Sequence, residues 1–314
     1  MTTHFATRPD QGMLRVSGAD ATTFLQSIVS QDLDPIPDGG GARALLLTPQ
    51  GKLVVDFRAL RVGDEWWLDC EPGFGPVLAE QLGRYRIRVD VELEDRSTRW
   101  GVVEVHGREA GARVAALAGI DLPEAVHSHL AWGRAPDRGM RVVRAAWPGV
   151  AGADVMGPLD ALDDVRDGLL RAGVEPFAPG AYEAARIEAG VPRLGVDVDE
   201  RTIPQEAFLE RDAVSFTKGC FLGQELVCRI DTRGHVNRHL RGLRIDGDAV
   251  PPAGAAVVVD DVERGVVTSS AVLPGERRAV ALAMVRREVE PPVEVSLRWA
   301  DGEVRARLQA LPGS

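Results

Sequence analysis

Apolar residues recur along the chain at two spacings, and the spacing switches at turn residues. MLRVSG (13–18) is a short apolar strand. From Ala19 to Val29, Phe24, Leu25 and Ile28 stand at helical spacing behind Asp20 in the first turn. The loop DPIPDGGG (34–41) is turn chemistry, and ARALLLTPQ and KLVVDFRALRV, joined at Pro49-Gln50-Gly51, form a hairpin. EWWLDC (65–70) predicts a strand, PGFGPVLAEQLGRY a helix and RIRVDVELED (86–95) a closing strand. The order β-α-β-β-β-α-β is a ferredoxin-like sandwich with one extra strand.

The pattern then restarts. Trp100 to Gly107 is a strand ending at glycine, and Glu109 to Leu117 a helix; Val16-Ser17-Gly18-Ala19-Asp20 and Val105-His106-Gly107-Arg108-Glu109 are the same joint of strand, glycine and acidic first turn. Strands near 128–134, 139–146 and 152–156 and a helix from Pro158 to Arg171 complete a second copy of one α+β module, which implies duplication. A helix from Ala181 to Ala189 is closed by Gly190 with Pro192 beyond it. From Arg238 onward HLRGLRI, AAVVV, RGVVTSSAVL, AVALAMV, PVEVSLRW and EVRARLQ alternate with turns, the signature of a small antiparallel barrel. The expected fold class is α+β: two ferredoxin-like modules, 12–96 and 97–237, and a C-terminal β-barrel, 238–314.

Composition adds bounds. The chain has 314 residues, 45% hydrophobic and 27% charged, enough for several domains of an ordinary globular protein. No apolar run reaches the roughly 18 residues of a membrane span, and MTTHFATRPDQG lacks a secretory pattern, so a cytoplasmic protein without a membrane partner is expected. A net charge of −10 argues against direct nucleic-acid binding. One stretch departs from it: Arg229, Arg233, Arg238, Arg241 and Arg244, with His235 and His239, stand against Asp231 alone, either a solvated face or a collar for an anion. Three cysteines, Cys70, Cys220 and Cys228, lie far apart without a CxxC pair, which speaks against a disulfide scaffold and a self-contained metal site. The only two lysines, Lys52 and Lys218, each touch a glycine.

The candidate chemistry sits in SFTKGCFLGQEL (215–226). Gly219 and Gly223 allow a sharp turn that presents a side chain, Lys218 beside Cys220 favours thiolate, and a helix starting near Leu222 would push the same way. A cysteine packed in a Gly-rich turn at a domain junction fits the same residues. Asp56, in KLVVDF, is either a buried acid or a solvent-side strand residue. Trp66-Trp67 predicts one core ring and one exposed ring, and His127-Ser128-His129 is a poor arrangement for one metal.

Lys218-Gly219-Cys220-Phe221-Leu222-Gly223-Gln224-Glu225 resembles the K-G-C-[FY]-x-G-Q-E signature of the YgfZ family, folate-binding relatives of the glycine-cleavage T-protein. The similarity extends to VSGADATTFLQSIVSQDL (16–33), LLLTPQGKLVVDFRAL (45–60), YEAARIEAGVPRLGVD (182–197), IPQEAF (203–208) and RGVVTSSAVLP (264–274). The resemblance implies two ferredoxin-like modules and a barrel around a central tetrahydrofolate channel. It implies cofactor-binding roles for Glu188, which would read the pterin N–H donors, and for Tyr182, Arg186 and Asp56. It implies catalytic roles for Cys220 and Lys218. It also implies a function: a folate-binding accessory factor for iron–sulfur cluster assembly or repair, with cluster proteins or assembly factors as partners and cluster-dependent tRNA modification downstream. The alternative is a folate-dependent aminomethyltransferase or demethylase of the T-protein type. One departure bears on it: T-proteins carry Asp-Asp on the hairpin, and this chain has Val55-Asp56, with valine at the catalytic place. The chemical step at Cys220, the folate form, the protein partner and the oligomeric state are open at this point.

Overall fold

Alternating burial along the strands sorts the first part of the chain into two layers. The structure, a computed structural model, describes residues 2–133, 139–276 and 278–313. Arg134, the end of the strand expected near 128–134, lies outside them. Strands Gly41–Leu47, Leu53–Val62, Glu65–Cys70, Gly12–Ser17 and Glu92–Asp95 form, in that spatial order, a five-stranded antiparallel sheet. Helices Ala21–Ile28 and Phe74–Gly83 pack on it through Leu25, Ile28, Leu78 and Leu82.

A six-stranded sheet runs in the order Glu175–Pro176, His4–Arg8, Trp100–His106, Val150–Pro158, Arg141–Trp147 and His129–Ala131. Helices Ala110–Ala118 and Leu159–Arg171 cover it over a core that includes Val103, Val105, Val114, Val155, Val165 and Leu169. The sheets meet through Met13, Leu60, Trp67, Trp100, Val102, Val143 and Met156. That second layer corrects the expectation of one exposed tryptophan: Trp66 and Trp67 are both buried, and the Trp67 ring meets Trp100 edge-on at 4.8 Å.

The repeated joint is present twice. Gly18 (φ +109°) and Gly107 (φ +132°) follow Ser17 and His106, and Asp20 and Glu109 hold the N-cap positions of the next helices. Both glycines carry a backbone that L residues rarely adopt, and a Cβ on Gly107 would stand 2.6 Å from Thr3 Cα while one on Gly18 would run into the Asp90 carbonyl.

Two sequence expectations fail here for local reasons. No element was expected before residue 13, yet His4–Arg8 pairs antiparallel with Trp100–His106. The strand expected over 86–95 survives only as Glu92–Asp95. Its first half is diverted to the joint: Asp20 N–H donates to Asp90 O at 3.1 Å and Asp90 N–H to the Asp20 carboxylate at 2.8 Å.

In the C-terminal part, Arg238–Asp246, Arg278–Arg286, Val262–Val272, Ala256–Val259, Val293–Trp299 and Gly302–Gln309 close into a six-stranded antiparallel barrel in that order. Its interior is small and β-branched, with Leu243, Ile245, Val257, Val267, Ala281 and Ala283 facing in. Bulges at Val257/Val258 and Val267/Ser269 bend the sheet for closure. The expected fold class, α+β modules with an antiparallel barrel, is the one observed. No helix among the described residues is long and apolar enough to cross a membrane.

Two outcomes follow from this architecture. Gly18→Ala and Gly107→Ala should each cost about 2 kcal/mol or more in chemical denaturation, since each forces an unfavourable φ as well as a clash. The second concerns acid. Burial, and next to it the Arg141 guanidinium 3.5 Å from Nδ1, lowers fully buried His129 to about 4. The folded state therefore holds the neutral ring, and its contribution is intact above pH 6.5 and lost as pH falls toward 4. Unfolding free energy should drop by about 2 kcal/mol from this residue between pH 7 and 5, and His129→Gln should flatten that part of the profile.

Candidate functional site

On the hairpin, burial alternates: Leu53, Val55 and Phe57 are at most 2% exposed, and Asp56 and Arg58 point to the opposite side. Val55 is therefore core, and the carboxylate the hairpin offers is that of Asp56. It is neither sealed off nor solvent-side, the two readings left open by its sequence. Arg43, on the partner strand, grips it with two donors, Nε to Oδ1 at 2.8 Å and Nη2 to Oδ2. The same Arg43 reaches Asp212 at 3.4 Å. Two residues on, Arg58 is shared between Asp69 and Asp154, with Nη1 2.6 Å from Asp154 Oδ2. Burial raises Asp154 to about 6 although Arg58 pulls it down. The ion pair is real in geometry, but desolvation outweighs it. Asp154 Oδ1 is buried without a hydrogen-bond partner.

The Lys218-Gly219-Cys220 loop has a different internal logic from the one its spacing suggests. The Lys218 ammonium donates to three carbonyls at the C-terminal end of helix Ala21–Ile28: Gln26 O at 2.7 Å, Val29 O at 2.8 Å and Gln31 O at 2.8 Å. Those carbonyls are the acceptors a helix end leaves unpaired. Burial lowers Lys218 to about 8, with Asp32 and Asp34 opposing. Its three donors are committed to backbone, so its hydrogen bonds serve the chain around the helix end and none goes to the thiol.

Cys220 is exposed at the edge of a cleft of about 600 Å³ lined by Phe24, Ile28, Tyr85, Val89 and Phe221 among others. Of the two glycines expected to shape the turn, only Gly223 is needed on steric grounds. Its φ is +80° and a Cβ would press on Gly51 Cα at 3.0 Å, whereas nothing lies within 4 Å of one on Gly219. The following helix starts at Gln224, not near Leu222. The other cysteines differ: Cys70 is buried, and burial holds its thiol well above the ordinary range, and Cys228 is half-buried.

In the helix Ala181–Glu188 the candidates divide. Arg186 is 1% exposed and spends its donors internally, on Glu183 Oε2 at 3.0 Å, Asp197 Oδ2 at 2.8 Å and Val191 O at 2.6 Å. Asp197 in turn accepts from Thr268 Oγ1 at 2.5 Å and Ser269 Oγ at 2.6 Å on the barrel. Arg186, expected to bind cofactor, forms an internal clamp in this structure. Tyr182 is half-buried, edge-on to Trp147 at 5.4 Å and to Phe177 at 5.6 Å. Glu188 is exposed in the last turn, on the face that also carries Ala185. Gly190 (φ +72°) ends the helix just beyond it.

Sequence reasoning missed Arg43, the Arg58–Asp69–Asp154 group and Asp197. Arg43 could have been found by setting the hairpin in register from its Pro-Gln-Gly turn, which opposes Leu45 to Asp56. Asp197 had no such signal, because its partners lie 71 and 72 residues away. Among the described residues no group of three or more His, Cys, Asp or Glu is arranged to hold a metal ion.

Comparison with known proteins gives consistent results. The profile of the GCVT N-terminal domain matches residues 10–218, and that of the glycine cleavage T-protein C-terminal barrel domain matches 238–313. An aminomethyltransferase of Rubrobacter xylanophilus is 28% identical, covering 98% of this chain and 84% of its own length. One from Thermus thermophilus is 29% identical over 96% of this chain and 84% of its own. The crystal structure of glycine cleavage system aminomethyltransferase T from Bartonella henselae superposes with a TM-score of 0.86 at 21% identity, covering 100% of this chain and 86% of that one, and so shares the fold. These relatives overturn the expected accessory role in iron–sulfur cluster assembly: the proteins that align along the whole chain carry the name aminomethyltransferase.

The loop geometry gives a direct check on Lys218. Lys218→Met strands three carbonyls and should lower stability by about 3 kcal/mol, whereas Cys220→Ser, at an exposed position, should change it by under about 0.5 kcal/mol. Equal melting of Lys218→Met and the parent would refute the capping role.

Proposed function

The chain belongs to the glycine-cleavage T-protein family, and on that premise we propose that it is a tetrahydrofolate-dependent aminomethyltransferase. The observation that carries the reading is the whole-length alignment with proteins of that name, N-terminal and barrel domains in the same order. The family uses tetrahydrofolate. Within it, the resemblance of the octapeptide Lys218–Glu225 to the YgfZ signature supports a YgfZ-type branch. Three free cysteines suit a cytoplasmic setting.

The residues present fit a folate. Glu188 offers an exposed carboxylate beside the small Ala185, so a flat ring can approach and its adjacent N–H groups can donate to both oxygens. Tyr182 presents an aromatic wall already immobilised by Trp147 and Phe177. Asp56 takes the place of the hairpin carboxylate. Its neighbour Val55 is turned into the core and cannot hold a proton, while Asp56, oriented by two Arg43 donors, can accept one from the amine of an aminomethyl donor or position that amine.

Titration of the purified protein with tetrahydrofolate should show binding, weakened about 10-fold or more in Glu188→Ala. With an aminomethyl donor, Asp56→Asn should lower turnover about 100-fold while leaving folate affinity near that of the parent. Wild-type protein that binds folate but transfers no one-carbon unit from any aminomethyl donor would sink the enzymatic reading.

A further inference from the structure

The arginine-rich stretch at the start of the barrel resolves into residues with different fates. Arg238 is paired with Glu206 at 2.9 Å. Arg229, Arg233 and Arg244 are exposed. Arg241 is half-buried and forms no ion pair among the described residues, with Glu290 the only carboxylate that influences it. Strand alternation sets it on the same face as Leu243 and Ile245, which belong to the barrel core. Its register partner is Ala283, and Ala281 follows two residues away on the same interior face, so small side chains stand opposite it.

The surroundings of this cation are built. The Arg241 guanidinium lies over the Phe208 ring, 5.4 Å from its centroid. Phe208 also stacks on His239, with centroids 5.1 Å apart and planes 8° from parallel. Phe208 holds φ at +59°, a left-handed backbone that costs a bulky residue of order 1 kcal/mol. That backbone accompanies a ring placed within cation–π range of Arg241. The ring attracts the cation as a π face and takes up none of its N–H donors, and those donors match the two oxygens of a carboxylate or phosphate. Burial pushes Arg241 down from its ordinary range, and Glu290 offsets this only in part, as for a partly desolvated charge with no direct ion pair among the described residues.

We propose that Arg241, carried on Phe208 and His239 at the inner face of the barrel, is a binding site for a single oxyanion, a carboxylate or phosphate group of a small ligand. Two sources share that chemistry: the glutamate end of a folate and a free phosphate. The site is independent of the aminomethyltransferase reading, because it recognises charge and not a pterin.

The experiment is calorimetric titration of the full chain with two probes, p-aminobenzoyl-L-glutamate, which lacks the pterin, and inorganic phosphate. Wild type, Arg241→Gln and Arg241→Lys are compared, with Arg244→Gln, exposed on the same strand, as control. The expected result is binding of at least one probe, weakened 10-fold or more in Arg241→Gln, partly restored in Arg241→Lys and unchanged in Arg244→Gln. Preference for the benzoylglutamate assigns the site to a carboxylate ligand, and preference for phosphate to a phosphate ligand. Failure of wild type to bind either probe, unaltered binding by Arg241→Gln, or equal losses in Arg241→Gln and Arg244→Gln would each overturn the site. Should Arg241→Gln fail to fold, Phe208→Leu, which removes the platform and keeps the charge, should weaken the same probe and decides in its place. A folate that fails to bind while these probes bind would remove the enzymatic reading and leave this one standing.

Discussion

In the C-terminal part of the molecule one carboxylate organises everything around it. Asp197 is 4% exposed and accepts from Arg186 on the helix, from the Arg193 backbone and from the Thr268 and Ser269 hydroxyls on the barrel. A buried ion pair is a weak source of net stability, but once formed it punishes any arrangement that leaves one partner alone. Four donors converging on two oxygens therefore fix the helix Ala181–Glu188 against the strands Val262–Val272 and Arg278–Arg286 in one register. The exposed Glu188 in the last turn of that helix is held in place because Arg186, two residues earlier, is tied down.

The N-terminal modules show the same division of labour on the hairpin. Alternation commits Val55 to the core and Asp56 to the polar side, and Arg43 then restricts the Asp56 carboxylate to one orientation. A valine beside that acid is thus no defect of the strand. Lys218 follows a parallel logic: a cation next to a thiol looks like an activator, but three unpaired carbonyls at a helix end are stronger claimants. The exposed Cys220 is left on a loop whose position is set by that cap and by the close approach of Gly223 to Gly51.

What could be read from sequence was what depends on near neighbours. The six barrel strands, the doubled strand–glycine–acid joint and the helix ended by Gly190 all rest on periodicity and turn chemistry within a few residues. What escaped depends on distant ones. The Trp67 ring is buried because another sheet covers it, the strand after Arg86 is shortened because Asp90 is recruited by Asp20, and Asp197 acquires its meaning from hydroxyls on the barrel. The candidate site was legible in residue type and less so in role: Glu188 is exposed, Tyr182 and Asp56 are half-buried, and Arg186 and Lys218 spend their donors within the protein.

The placement of His4–Arg8 has a consequence for biogenesis. This strand leaves the ribosome well before its partner Trp100–His106, which emerges after about ninety more residues, and Glu175–Pro176 on its other side comes later still. The five-stranded sheet can assemble in the meantime from segments that are all in hand by Asp95. His4–Arg8 must wait as an unpaired edge, so vectorial synthesis closes the six-stranded sheet only after the five-stranded one, around a strand made long before its partners.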